Sequence, residues 1–192
     1  MGRPRVWLFR GLVIVAAGLM LLSWFMPWWS ADVLYFFLEK AIVIHPYGLE
    51  VCPVEEIAGV IPGAEMPAWF APLMWAYLGV CLLSLLSSLF VGEKEFSLSK
   101  RRYKKAKLLI GGVGLSYIVV VVLAVIIAAI RTGDFWGLRL QGYTFISLGY
   151  PMESDLYARL LLGYWLACAV GPLLIVLALL RNKVIGKPKL RA

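Results

Sequence analysis

Residues 108–130 read Leu-Leu-Ile-Gly-Gly-Val-Gly-Leu-Ser-Tyr-Ile-Val-Val-Val-Val-Leu-Ala-Val-Ile-Ile-Ala-Ala-Ile, without one charged side chain. As a helix this stretch is roughly 35 Å long, enough to cross a hydrocarbon core about 30 Å thick. No water-soluble domain of 192 residues has reason to carry it. The whole chain agrees, with 62% hydrophobic and 16% charged residues, against roughly 45–50% and about 25% in soluble domains.

Three further runs of similar length flank it, at about 6–26, 69–91 and 156–180. The expected fold is a membrane all-α core, a four-transmembrane-helix bundle occupying residues 1–192 as one integral membrane domain. The first run follows a basic start, as a secretory signal does. It is long, however, and Pro27-Trp28-Trp29-Ser30 offers no cleavage site, so it is read as an uncleaved anchor.

Charge then orients the bundle. Arg3, Arg5 and Arg10 mark the amino terminus, residues 92–107 hold seven basic against two acidic residues, and residues 181–192 hold five basic and no acidic ones. Residues 27–68 instead carry six acids against Lys40, and residues 131–155 three acids against two arginines. Lys and Arg accumulate in short cytoplasmic segments, so both termini are expected in the cytoplasm of a cell-membrane protein. The net charge of +8 is accordingly a topology signal, with no nucleic-acid partner implied. The cluster Lys100, Arg101, Arg102, Lys104, Lys105 and Lys107 is expected to meet anionic lipid headgroups.

The outer loops are too long to be bare connectors. Val33–Leu38 and Ala41–His45 are rich in aromatic and branched residues and read as strands, with Glu39-Lys40 as a tight reversal. A single amphipathic helix over Asp32–Ile44 is the competing reading. His45-Pro46-Tyr47-Gly48 punctuates the chain before a short stretch 49–54, and residues 137–149 alternate like a further strand. The two loops are expected to pair into one small extracellular β-sheet cap.

Trp29, the Gly48-Leu49 pair and Cys52 together resemble the layout of claudin-like tetraspan membrane proteins. The resemblance implies a four-helix bundle with an extracellular sheet, and lateral self-assembly or junction-like contact. That family's second outer cysteine has no counterpart here, and Glu50 follows the Gly-Leu pair where the family has tryptophan, so its paracellular pore function is not carried over.

Chemistry is sparse. Ionisable groups buried in a bilayer mark function, and the spans hold only Arg10 and Arg159, both near span ends, read as snorkelling anchors or as partners of an outer acid such as Asp155. His45 is the sole histidine, and no CxxC pair exists. Cys52 is read as a lone buried thiol. Glu50, Glu55, Glu56 and Glu65 read as a solvated acidic face. No catalytic, cofactor-binding or metal residue is assigned. Gly111-Gly112-Val113-Gly114 lacks the Lys-Ser/Thr of a phosphate loop and reads as helix packing.

Small residues recur every four positions at Gly163, Ala167 and Gly171, at Ser84 and Ser88, and at Ala124 and Ala128, marking helix-packing faces. These either close the monomer's own bundle or join copies. Pro172 is expected to kink the last helix. Trp7, Trp24, Trp28, Trp29, Trp69, Trp136 and Tyr150 fall near span ends as interfacial anchors, while Trp75 and Trp165 lie deeper, in a core or a quinone or lipid pocket. Only Asn182 and Gln141 are side-chain amides, a scarcity that high growth temperature favours.

The reading that follows is a non-catalytic structural or accessory tetraspan subunit, assembling as a homo-oligomer or within a larger complex through its outer sheet and small-residue faces. A quinone- or lipid-binding subunit of a membrane enzyme is the alternative. A transporter or channel ranks below both.

Overall fold

The computed structural model describes residues 3–33, 38–51, 66–90, 95–98, 101–136, 139–147 and 153–185. In chain order the elements are α1 (Arg3–Phe25), β1 (Trp29–Val33), β2 (Leu38–His45), β3 (Gly48–Val51), α2 (Phe70–Phe90), β4 (Glu95–Leu98), β5 (Arg101–Lys104), α3 (Lys105–Trp136), β6 (Gly142–Ser147), β7 (Glu153–Leu160) and α4 (Leu162–Ile185). All four helices are long and apolar enough to cross a membrane, over Val6–Phe25, Phe70–Phe90, Lys105–Ile130 and Leu162–Arg181. The protein is a multi-pass membrane protein by helix length and composition.

Each helix buries one narrow stripe and leaves the rest of its apolar surface outward. Phe9, Val13, Ala16, Met20 and Trp24 in α1 are buried at spacings of three or four, as are Leu78, Cys81, Leu85 and Ser88 in α2. That spacing keeps one helical face on the partner. Leu and Ile residues on the other faces, such as Leu83, Leu115 and Ile126, are exposed. In water such surface would drive aggregation, whereas lipid tails solvate it. Helix α4 packs extensively on both α1 and α3, and α2 leans on α3 with little contact to α1.

At one end of the bundle stands a five-stranded antiparallel sheet of order β3-β2-β1-β7-β6. The central pair β1–β7 joins the two connections into one sheet, with Trp29 opposite Leu160 and Val33 opposite Leu156. The junction with the helices is tight. The Leu161 backbone N–H donates to Trp28 O at 2.8 Å and the Trp28 N–H to Ile44 O at 2.9 Å, directly beyond the ends of α1 and α4. One sheet face collects Trp29, Ala31, Ile42, Leu156 and Ala158, all buried. This second apolar cluster is separate from the helical core.

Several boundaries differ from expectation. Residues 156–160 belong to β7, so the fourth span starts at Leu162; an apolar strand running straight into an apolar helix reads as one hydrophobic run. Glu39-Lys40 lies within β2, at the point where the β1–β2 register shifts between Ala31 and Val33. The charged pair marks a bulge, and the strand continues through it. No helix spans Asp32–Ile44, because β1 and β2 occupy its described part. Helix α3 continues past Ile130 to Trp136. Pro172, where a kink is expected, falls within α4. Residues 92–107, read as a loop, contain the hairpin β4–β5 and the start of α3.

Candidate functional site at the sheet end of the bundle

The second face of the sheet is polar. Ser30 stands opposite Arg159, and Asp32 opposite Tyr157, so Arg159 and Asp32 are diagonal neighbours on one face. Their side chains meet, Arg159 Nη2 lying 3.0 Å from Asp32 Oδ2, with the carboxylate largely buried and the guanidinium more open. Asp155, the partner expected from sequence, is four residues away along the same strand, roughly 13 Å. Only in a helix would positions 155 and 159 have been neighbours. Three buried polar atoms on this face and beside it lack a hydrogen-bond partner: Ser30 Oγ, Arg159 Nε and His45 Nδ1.

The β2–β3 turn reaches down onto the helices through stacked rings. His45 stacks on Tyr47 at 5.1 Å between centroids, and Tyr47 on Trp75 of α2 at 5.1 Å. Trp75 in turn touches Trp24 and Phe25 of α1 at 6.4 and 5.8 Å. Burial pushes the Tyr47 phenol above its usual range, and the nearby Glu50 carboxylate adds to the effect. Glu50 Oε2 also lies 3.6 Å from His45 Nε2, an ion pair whenever the imidazole is protonated. Below this ladder two hydroxyl pairs tie helices together. Ser23 Oγ donates to Met20 O at 3.0 Å, which leaves Tyr117 Oη to donate to Ser23 Oγ at 2.8 Å. Ser116 Oγ likewise donates to Val113 O, so the Tyr77 hydroxyl donates to Ser116 at 3.2 Å.

Strand β6 ends the sheet, and on it Tyr143 and Phe145 are 65% and 62% exposed. Their shared face includes Tyr157, whose ring lies 4.7 Å from that of Tyr143. The result is an aromatic edge beside the Arg159–Asp32 pair.

The tryptophans expected as interfacial anchors divide. Trp7 and Trp69 are 68% and 63% exposed. Trp28 and Trp29 are 5% and 2% exposed, a correction with a clear cause: each indole N–H is satisfied inside the protein, by Ser23 O at 2.8 Å and Leu140 O at 2.7 Å. Because β1 begins at Trp29, the chain turns these rings into the sheet–helix junction before they can face lipid. The Trp136 backbone closes α3, and its side chain and Tyr150 lie outside the described residues. Trp75, 41% exposed, lies at the edge of the helical core between Tyr47 and Trp24, while Trp165 is 56% exposed on the outside of α4.

The small-residue faces are placed as follows. A Cβ at Gly163 would lie 2.6 Å from Pro27 O and 2.8 Å from Met26 O, the turn leaving α1. One at Gly171 would lie 2.4 Å from Ile118 Cγ1 and 3.2 Å from Gly114 O. Ala167 between them is buried. This face of α4 therefore packs inside the monomer, on α1 at one end and α3 at the other. A Cβ at Gly114, from the glycine run at 111–114, would likewise lie 3.0 Å from Gly171 O. Ser88 is buried and its hydroxyl donates to Leu85 O at 2.6 Å, whereas Ser84, Ala124 and Ala128 are half-buried.

Of the basic cluster, Arg101, Arg102 and Lys104 lie in β5, and Lys105 and Lys107 open α3. Lys100 lies outside the described residues, as do Cys52, Glu55, Glu56 and Glu65. No group of three or more histidine, cysteine, aspartate or glutamate side chains suited to a metal occurs among the described residues. No protein-family model, curated protein or solved structure matches the chain.

Proposed function

We propose that the protein is a non-catalytic tetraspan subunit that holds a rigid sheet above the membrane and assembles through it, as a homo-oligomer or in a larger complex. The observation that carries this reading is the β1–β7 pairing, which continues α1 and α4 directly into one sheet. A platform anchored at two helix ends presents the Tyr143–Phe145 edge in a fixed orientation. Aromatic rings held on a rigid surface bind partners with little loss of conformational freedom. The basic hairpin and termini at the opposite end support an orientation with the sheet outside the cell and both termini in the cytoplasm.

Native mass spectrometry and light scattering of the protein purified in mild detergent test the reading. The expected species is an oligomer or a complex with co-purifying proteins, and Tyr143→Ser/Phe145→Ser should release the protomer. A strictly solitary wild-type monomer, with no co-purifying protein, would refute it. The rival reading, a quinone- or lipid-binding subunit, requires a ligand held between helices. The outward placement of Trp165 does not favour it.

A further inference from the structure

The four helices close on one another unevenly. Helix α4 packs on α1 and α3, and α2 packs on α3, but α2 and α1 make little contact, which leaves a seam open between them. At the sheet end this seam is filled by rings. Trp24 of α1 lies 6.4 Å from both Trp75 and Tyr77 of α2, and Phe25 lies 5.8 Å from Trp75. Trp24 is fully buried among them, while Phe25 and Trp75 keep 58% and 41% of their surface exposed. The Trp24 indole N–H is also buried, and it has no hydrogen-bond acceptor, alone in this among the described side chains of the spans. Trp28 and Trp29, a few residues on, both give their N–H to backbone carbonyls. In hydrocarbon no water stands in for a missing acceptor, so an unmet donor is costly there.

We propose that the α1–α2 seam holds a phospholipid of the leaflet on the sheet side, its chains lying between the two helices and an oxygen of its polar end accepting the Trp24 N–H. Trp24 is the next-to-last residue of α1, at the depth where lipid chains meet their polar ends. A lipid joins an apolar body to free acceptor oxygens at that depth, whereas a neighbouring helix has its backbone carbonyls engaged in its own hydrogen bonds. The partly exposed Trp75 ring stands between Trp24 and the bilayer, and its rotation admits the lipid. Such a lipid serves the packing of this bundle. Its placement depends on the chain spanning a membrane but not on what the sheet binds.

The test uses the full-length protein released from nanodiscs of dioleoyl phosphatidylcholine, with native mass spectrometry measuring the lipid that stays bound. Trp24→Phe removes the N–H and keeps an aromatic ring, and it should weaken retention about tenfold. Trp165→Phe makes the same change on the outside of α4, where the ring is 56% exposed; it should stay within about twofold of wild type. Adding the lipid back to delipidated protein separates lost binding from lost stability. It should raise the melting temperature of wild type and of Trp165→Phe, and that of Trp24→Phe much less, whatever each melting temperature is without lipid. Photoactivatable phosphatidylcholine should label the wild-type protein in α1 and α2 near Trp24 and Trp75. Equal retention and equal lipid-induced stabilisation in the two variants would show that the N–H is met by the Trp75 ring or by water, and would overturn the proposal. So would labelling confined to α3 and α4, or displacement of the lipid by an equimolar short-chain quinone.

Discussion

Gly163→Ala adds one methyl group where the first turn of α4 meets the chain leaving α1. The added carbon would lie 2.6 Å from Pro27 O, 2.8 Å from Met26 O and 2.9 Å from Met26 Cβ. Two of these obstacles are backbone carbonyls at the point where α1 gives way to β1, so no rotamer change relieves them. Relief requires α4 to move from α1, and with it the β1–β7 pairing that begins two residues beyond Pro27. Overpacking of this kind costs about 1–3 kcal/mol. The gain from alanine over glycine, up to about 1 kcal/mol inside a helix, is small in a first turn. Gly18→Ala is the matched control, because a Cβ there meets nothing within 4 Å; it should stabilise by about 0.5–1 kcal/mol. The two variants should therefore differ by about 2 kcal/mol, roughly 30-fold in the unfolding equilibrium. Reversible unfolding in mixed micelles, titrated with sodium dodecyl sulfate and followed by far-ultraviolet circular dichroism, reads that difference. A Gly163→Ala protein as stable as Gly18→Ala would refute the close approach of α4 to α1.

Asp32→Asn should destabilise the sheet end by about 1–2 kcal/mol, as expected for a lost hydrogen bond to a charged group, and hydrogen exchange at β1 and β7 amides should rise while the helices stay protected. Trp29→Phe removes the bond to Leu140 O and should cost about 1 kcal/mol or more, whereas Trp7→Phe should fall within about 0.5 kcal/mol of wild type; urea or detergent melts distinguish the two. The raised Tyr47 pKa carries a definite sign. From the ordinary value of 10.0 upward the unfolded chain gives up the phenolic proton first, so stability falls with rising pH across the interval to the folded value. Tyr47→Phe should flatten that alkaline decline, and Glu50→Gln should reduce it less, since burial is the larger cause.

What could be read in advance was whatever depends on length and composition. A run such as residues 108–130 has one physical solution in a bilayer, so four spans followed directly. The sheet was legible as a tendency, because Ala41–His45 and residues 142–147 are β-branched and aromatic in alternation. Its boundaries were not. Leu156 and Leu160 are as apolar as the helix they precede, and only pairing with β1 makes them strand. The hairpin β4–β5 was hidden for the opposite reason, since Arg101-Arg102-Tyr103-Lys104 alternates too weakly to outweigh its charge. Trp28 and Trp29 were misassigned because position near a span end says nothing about which way a ring turns. The partner of Arg159 was missed as a consequence of the helix boundary, four residues being one helical turn but a long reach along a strand. Gly163 and Gly171 were visible as a repeat, but the repeat could not say whether the neighbouring backbone belongs to this chain or to another copy.

The placement of that small-residue face bears on how the molecule transmits force. Glycines in the first turn and near the middle of α4 let it lie against α1 at Gly163 and against α3 at Gly171, and the same helix is continued upward by β7. A tilt of α4 must therefore shear the β1–β7 ladder or carry the whole sheet with it. Breaking several ladder hydrogen bonds costs more than moving a sheet whose aromatic strand β6, among the described residues, pairs only with β7. Helix α2 is tied differently, with little contact to α1 but with Trp75 stacked on Tyr47 of the β2–β3 turn. A shift of α2 relative to α1 must slide that ring together with its contacts to Trp24 and Phe25.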